Sequence, residues 1–216
     1  MEGHYREGAD SHLPSPASQN LCKLVEGVAR RRSFEAGAEL PLNESVCFPI
    51  DGVTALALHR GRTRFHVGFC SRGDAIGIQG ILVPSFPDLT AMVLKSGSFI
   101  CVPPQTLNGL LRKNSELRER VTRHALFSAG RYLEEAARVI AMSVERRVAH
   151  WISRCGQALK SDVIAITHHD LANVLGVRRS GVTVALQVLE GEKLIRSRRS
   201  RIEVVDCTGL IAFSGA

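Results

Sequence analysis

No apolar run in this chain approaches the roughly 18 residues that a membrane helix needs, which removes a transmembrane span from the reading. The first twenty residues, MEGHYREGADSHLPSPASQN, hold no apolar segment of the kind a secretory signal requires, so the cytoplasm is the expected location and residues 1–16 are expected to form a flexible tail. Paired cysteines are missing too. Cys22, Cys47, Cys70, Cys101, Cys155 and Cys207 are scattered, with no C-x-x-C and no zinc-like ladder, and are expected to be reduced, mostly buried thiols. His66 and Cys70 stand four apart, but on a strand that separates them by about 13 Å, too far to share an ion. No internal repeat occurs, and no low-complexity stretch beyond the first sixteen residues. Catalysis on a metal is not expected, because the only histidines in the expected strand region, His59 and His66, fall in separate segments. No metal and no cofactor are assigned.

What is present is a globular composition, 44% hydrophobic and 23% charged, which excludes a disordered chain. The 216 residues suffice for two small domains. The formal net charge of +7 suits a polyanionic partner, but location decides whether it serves one. Residues 160–205 hold eight Lys and Arg against five acids, with Arg196, Arg198, Arg199 and Arg201 inside six positions. Arg30, Arg31 and Arg32 form a shorter run that reads as a solvated face.

Three textures follow one another. Leu21, Leu24, Val25 and Val28 recur at helical spacing, predicting a short helix over 17–30. From 33 to 103, apolar runs at 46–50, 53–58, 65–69, 89–94 and 99–102 alternate with turn signals (Asp51-Gly52, Arg60-Gly61, Arg72-Gly73-Asp74, Ser96-Gly97). Short strands so closely punctuated predict an antiparallel barrel or jelly roll. Residues 105–143 hold no Pro and two Gly, and Leu117, Val121, Ala125, Ser128, Tyr132, Ala136 and Val139 follow a three-or-four spacing, predicting one long helix with a narrow seam. Such a seam either packs on the barrel or pairs with its twin, and Ser128-Ala129-Gly130 at its middle permits close approach of a second copy. A further helix is expected over 144–159 and a short strand over 163–166.

The most specific pattern runs from Ile166 to Glu190. Thr167 precedes a helix with Asp170 three residues on, an acidic variant of the capping box. Leu171, Val174 and Leu175 form its inner face, Ala172 is small where a second helix crosses, Gly176 permits a positive φ, and Val177 plugs the corner. A second helix follows over 179–190 with Val182, Ala185, Leu186 and Leu189 inward. These independent requirements coincide in a helix-turn-helix. Outward at the start of the second helix stand Arg178, Arg179, Ser180, Thr183, Val184 and Gln187, the candidate base readers. Arginine binds guanine O6 and N7 with two hydrogen bonds, glutamine does the same for adenine, and valine can meet a thymine methyl. Residues 195–205 then predict a two-stranded wing, without the glycine its turn would favour. Thr167, His168, His169, Arg196, Arg198, Arg199 and Arg201 are the candidate phosphate contacts.

This order of barrel, long helix and winged helix-turn-helix resembles the Crp/Fnr superfamily of bacterial transcription regulators. The resemblance rests on Ile166-Thr167, Leu171-Ala172, Leu175-Gly176-Val177-Arg178-Arg179, Val182-Thr183, Leu189-Glu190 and Leu194-Ile195, and more weakly on Phe34-Glu35-Ala36-Gly37, residues 48–53 and residues 72–77. It implies an α+β fold: an N-terminal antiparallel β jelly-roll sensor barrel of cyclic-nucleotide-binding type (17–106), a dimerisation helix (107–142) pairing through the seam above, and a winged helix-turn-helix domain (143–216). It implies a homodimer on double-stranded DNA, with RNA polymerase and an unidentified small-molecule effector as further partners, no membrane and no enzymatic activity. It places an effector pocket around Gly73, Asp74, Ile76, Gly77, Ile78, Gln79, Leu89, Thr90 and Tyr132. The departures are specific. Ile78 stands where cyclic-AMP binders hold the ribose with glutamate, and Pro87-Asp88-Leu89-Thr90 offers no arginine for the phosphate, so cyclic AMP is not expected to bind. Cys22 alone cannot hold an iron–sulfur centre, and nothing supports haem. On the second helix, Ser180 replaces a frequent glutamate and Val184 a frequent arginine, so the target site should differ from the best-known ones. Two alternatives stay open: a ligand-binding jelly-roll module, and an effector-independent regulator whose barrel is structural.

Overall fold

The computed structural model describes residues 21–215 except Arg62 and Pro84; the expected tail over 1–16 and the expected helix start at 17 lie outside them. Helix α1 (Leu21–Val25) leads through a single 3-10 turn (Glu26–Val28) into strand β1 (Arg30–Phe34). Leu21 and Val25 are buried, whereas Leu24 and Val28 face solvent, because the helix stops after little more than one turn. Strands β2 (Val46–Pro49), β3 (Val53–Arg60) and β4 (Thr63–Cys70), the short helix α2 (Ile78–Leu82), β5 (Leu89–Lys95) and β6 (Gly97–Val102) complete the N-terminal half. They form two antiparallel sheets, β1-β6-β2 and β4-β3-β5. Arg30, Arg31 and Arg32 lie exposed on the edge strand β1.

Alternation along the strands separates three packing layers. Cys47, Leu56, Val67, Ala91, Val93, Phe99 and Cys101 point between the two sheets. Val46, Phe48, Ile100 and Val102 point from the outer face of β1-β6-β2 towards the helices. Ala55, Phe69 and Leu94, on the outer face of the other sheet, join the core of the C-terminal half. The last helices and strands are α3 (Pro104–Lys113), α4 (Ser115–Ile140), α5 (Val144–Leu159), β7 (Val163–Ile164), α6 (His168–Leu175), α7 (Arg179–Gly191), β8 (Ile195–Arg198), β9 (Arg201–Val204) and α8 (Cys207–Ser214).

The helix expected as one over 105–143 is two. Asn114 adopts an extended conformation and its Oδ1 accepts from Leu117 N at 2.9 Å, ending α3 and capping α4. An asparagine side chain competes with the helix for backbone amides, so it starts a new helix where no proline or glycine marks the boundary. The face expected to pair with a twin is occupied within the chain. Leu117, Val121 and Ala125 pack with Val46, Phe48 and Ile100, and Tyr132 enters the barrel interior. Ser128 is buried beside His124, while Ala136 and Val139 are half-buried. The apolar side chains that α4 leaves in solvent are Leu126, Phe127, Leu133 and Ile140.

The two halves meet over β4. Its register shifts at Leu56 and Ala57, where Gly68 takes φ +135° and Val67 is the extra residue. A bulge re-aims its neighbours. Val67 turns into the barrel, while His66 and Phe69 both face Trp151 of α5, at ring-centroid distances of 6.2 and 5.7 Å. Beside them His150 Nε2 donates to the Glu135 carboxylate at 2.8 Å, both side chains buried, tying α5 to α4. Burial works against the Glu135 carboxylate, but the His150 hydrogen bond and nearby positive charge overcome it and hold its pKa at about 2.

His66 is 4% exposed and neither ring nitrogen has a well-formed hydrogen bond among the described residues. Burial lowers its pKa to about 4, against the pull of Glu135 and with the push of His150 and Arg154. The unfolded chain therefore takes up this proton first, and the folded state loses about 3 kcal/mol as pH falls from 6.5 to 4. Burial lowers His124 as well, and it adds to the same slope. His66→Leu is expected to remove the larger share of the fall in melting midpoint over that window while leaving stability at pH 7.5 unchanged or higher. An unchanged pH slope in this variant contradicts the neutral buried assignment.

Candidate nucleic-acid interface

Thr167 caps α6 as its spacing demands. Its Oγ1 accepts from Asp170 N at 3.1 Å and donates to Asp170 Oδ2 at 2.6 Å. Gly176 takes φ +64° at the end of α6, and Val177 packs half-buried against the core that holds Leu171, Leu175, Val182, Ala185, Leu186 and Leu189. α7 thus presents one sealed face and one open face. On the open face Arg178, Arg179, Ser180, Val184 and Gln187 are exposed. Thr183 is half-buried and already engaged: its hydroxyl lies 3.2 Å from the Arg179 carbonyl and 3.2 Å from His168 Nδ1.

The wing is built against α7. β8 and β9 pair through Ile195↔Val204 to Arg198↔Arg201, and β7 adds Val163↔Glu203 and Ile164↔Ile202 on the far side of β9. The expected turn glycine is replaced by Ser200, which takes φ +57° itself. Glu190 Oε1 accepts from Ser197 N at 2.6 Å, and His168 Nε2 lies 3.5 Å from Ser197 Oγ. His168 therefore touches both α7 and the wing, and is half-buried rather than projecting. His169 is exposed and accepts from Asn173 Nδ2 at 3.0 Å.

Arg178, Arg179, Arg196, Arg198, Arg199 and Arg201 are all exposed, and among the described residues none is in an ion pair. Six unpaired guanidinium groups on α7 and its adjoining wing form a surface suited to an extended polyanion. Helix α8 was not foreseen from the sequence. Asp206 caps it by accepting from Gly209 N at 2.9 Å, an aspartate three residues before its partner that could have marked the start. Leu210 of α8 closes the domain core.

The residues expected around an effector are packed rather than open. Ile76 and Ile78 are fully buried, and Asp74, Gln79 and Tyr132 nearly so. Gly73 and Gly77 are half-buried, both at positive φ. Asp74 Oδ2 accepts from Ser71 N at 3.0 Å and its Oδ1 meets Arg131 at 3.5 Å; burial nonetheless raises the Asp74 pKa. Ala75 N donates to His124 Nε2 at 3.0 Å, so α4 holds this segment at two adjacent residues. Leu89 and Thr90 are half-buried, and Thr90 Oγ1 lies 2.9 Å from His59 Nε2. No group of three or more His, Cys, Asp or Glu among the described residues is placed to hold a metal ion, and no helix among them is long and apolar enough to cross a membrane.

Residues 146–213 match the family model of the Crp-like helix-turn-helix domain. No curated protein matches the chain in sequence. In structure it is similar to a Crp/Fnr-family protein of Eubacterium rectale, with a TM-score of 0.74 at 14% identity over 96% of this chain and 100% of that one. The c-di-GMP-responsive global regulator CLP of Xanthomonas campestris gives a TM-score of 0.68 at 13% identity, over 86% of this chain and 98% of that one. FixK2 of Bradyrhizobium japonicum gives 0.63 at 17% identity, over 88% and 98%. The chain thus carries a Crp-like helix-turn-helix domain over residues 146–213 and shares the fold of these proteins along most of its described length.

Proposed function

We propose that the protein reads an inverted-repeat DNA site as a homodimer, with α7 of each protomer in the major groove and the wing on the phosphates. The observation that carries this is the set of six exposed, unpaired arginines, Arg178 and Arg179 at the start of α7 and four on the wing. Base reading falls to Arg178, Arg179, Ser180, Val184 and Gln187, and Thr183 joins them only by leaving its present partners. Thr167, His169 and the wing arginines supply phosphate contacts, with His168 holding helix and wing together. Residues 17–106 serve as the sensor barrel, 107–142 as the pairing segment and 143–216 as the reading domain.

Pairing falls to the exposed stripe on α4 in place of the buried seam. Leu126, Leu133 and Ile140 stand seven residues apart, the repeat of a two-stranded coiled coil, with Ala129-Gly130 between the first two. The packed state of Ile76, Ile78 and Asp74 favours a regulator that uses no cyclic AMP. A cytoplasmic location and a contact to RNA polymerase complete the proposal. Selection of bound duplexes from a random pool, beside sedimentation of the free protein, tests it. The expected outcome is a dimer and a consensus of two inverted half-sites about 34 Å apart centre to centre. A monomer at micromolar concentration, or a consensus without two-fold symmetry, overturns the dimeric reading.

A further inference from the structure

Cys47 and Cys101 face each other inside the barrel. They are directly opposed in the β2–β6 register, and their sulfurs are 3.6 Å apart. The backbone shows which kind of opposed pair they form. Cys47 N donates to Ile76 O at 3.0 Å and Cys47 O accepts from Ile76 N at 2.8 Å, so both polar groups of Cys47 point away from β6. A residue whose amide and carbonyl both turn outward sits in a non-hydrogen-bonded antiparallel pair, where opposed Cα atoms are about 4.5 Å apart and side chains are closest. That separation lies inside the range a disulfide spans, about 4.4–6.8 Å, so a side-chain rotation brings the sulfurs to bonding distance without moving the strands far.

We propose that Cys47 and Cys101 form a dithiol site that a hydroperoxide converts to a cross-strand disulfide. In the first step the Cys101 thiolate attacks one peroxide oxygen, the O–O bond breaks, and Cys101 becomes a sulfenic acid as hydroxide leaves and takes up the thiol proton as water. In the second step Cys47 sulfur attacks Cys101 sulfur, the S–O bond breaks, and the hydroxyl leaves as water with the Cys47 proton. Two thiols and one hydrogen peroxide give one disulfide and two waters, so peroxide supplies the whole two-electron oxidation.

The roles follow from the surroundings. The sulfur contact with Cys47 lowers the Cys101 thiol against its burial, and the charge of Arg32 on the neighbouring strand lowers both thiols. The same contact and burial raise Cys47, which suits the second, resolving thiol. Burial raises Cys70 and Cys155 as well, which keeps both as thiols. Both sulfurs of the pair are enclosed, so peroxide reaches them through local opening of β2, a four-residue strand at the edge of its sheet. The inference stands on the barrel alone and does not depend on DNA binding.

The test treats the reduced full-length protein with hydrogen peroxide, blocks remaining thiols with iodoacetamide and maps peptides by mass spectrometry without reduction. The expected products are a Cys47–Cys101 linked peptide, a 2 Da loss from the pair, and recovery of both thiols with dithiothreitol. Cys47→Ser and Cys101→Ser, each checked for native circular dichroism, separate the roles. The first is expected to leave Cys101 as a sulfenic acid captured by dimedone, and the second to leave Cys47 unmodified by dimedone. Alkylation of both thiols after peroxide treatment, with the oxidation confined to Cys22 and Cys207, overturns the proposal. So does a linked peptide that forms only in denaturant.

Discussion

Replacement of Leu133 by glutamate is expected to turn the protein into a folded monomer. Leu133 is 72% exposed and Leu126 70% exposed in the single chain, so neither contributes much to the fold of one protomer. In the proposed pair each leucine is covered by its twin, worth about 2 kcal/mol per side chain buried. Glutamate at 133 removes that gain from both helices and sets two carboxylates against each other in an apolar seam. The combined loss of about 4–6 kcal/mol raises the dimer dissociation constant roughly a thousand-fold or more. Sedimentation velocity reads the change in mass, and circular dichroism should match the wild type. The control is Leu117→Glu. Leu117 is buried against Val46 and Phe48, so this change is expected to unfold the barrel rather than separate the protomers. A dimeric Leu133→Glu protein contradicts the assignment of the exposed stripe.

Gly176→Ala is expected to cost about 3 kcal/mol or more, a fall of roughly 6–12 °C in melting midpoint for a chain of this size. Two effects add. The φ of +64° is the left-handed region, where a Cβ costs about 1–2 kcal/mol. A Cβ at this position would also overlap the backbone carbonyl of Arg64 at the start of β4, which rests on the helix-turn-helix corner. Backbone cannot swing aside as a long side chain can, so the barrel must lift from the corner or the corner must shift. Gly176→Asn separates the two effects, because asparagine tolerates the left-handed region but carries the same Cβ. If the overlap dominates, both variants melt early and both gain protease cleavage near the β3–β4 turn. If Gly176→Asn restores the wild-type midpoint, the contact between Arg64 and the corner carries no weight.

The helix-turn-helix was legible because its signals are local. A cap at Thr167, a small residue at Ala172, a glycine at 176 and a plug at Val177 each answer a requirement met within a few residues of itself. Strands β2 to β6 were legible from apolar runs bounded by turn residues, to within one or two positions of their ends, whereas β1, built on Arg30, Arg31 and Arg32, has no apolar run and was missed. What sequence periodicity cannot report is the identity of the partner. The stripe of Leu117, Val121, Ala125, Ser128 and Tyr132 satisfied either of two partners, the barrel or a second helix, and the barrel holds it. The free stripe of Leu126, Leu133 and Ile140 was there to be read, but it lies on a helix with apolar residues on two faces, and spacing alone does not rank them. His66 was out of reach for another reason. Strict alternation along β4 places it opposite Phe69, and only the bulge at Val67 puts both on the side of Trp151.

The most direct measurement is a pair of titrations, Arg179→Ala and Arg199→Ala, against the selected duplex and a scrambled one at several salt concentrations. Both arginines are exposed and unpaired, so neither change disturbs the fold. Loss of a two-bond contact to guanine should cost about 1–3 kcal/mol per protomer on the selected site and far less on the scrambled one, so Arg179→Ala lowers specificity. Loss of a phosphate contact should weaken both duplexes alike and flatten the salt dependence by about one unit of slope per contact, so Arg199→Ala lowers affinity with site preference intact. An Arg179→Ala protein that binds both duplexes less well by the same factor shows that α7 is not the reader. If neither variant changes DNA affinity, the arginine surface on α7 and the wing is not the DNA-binding site.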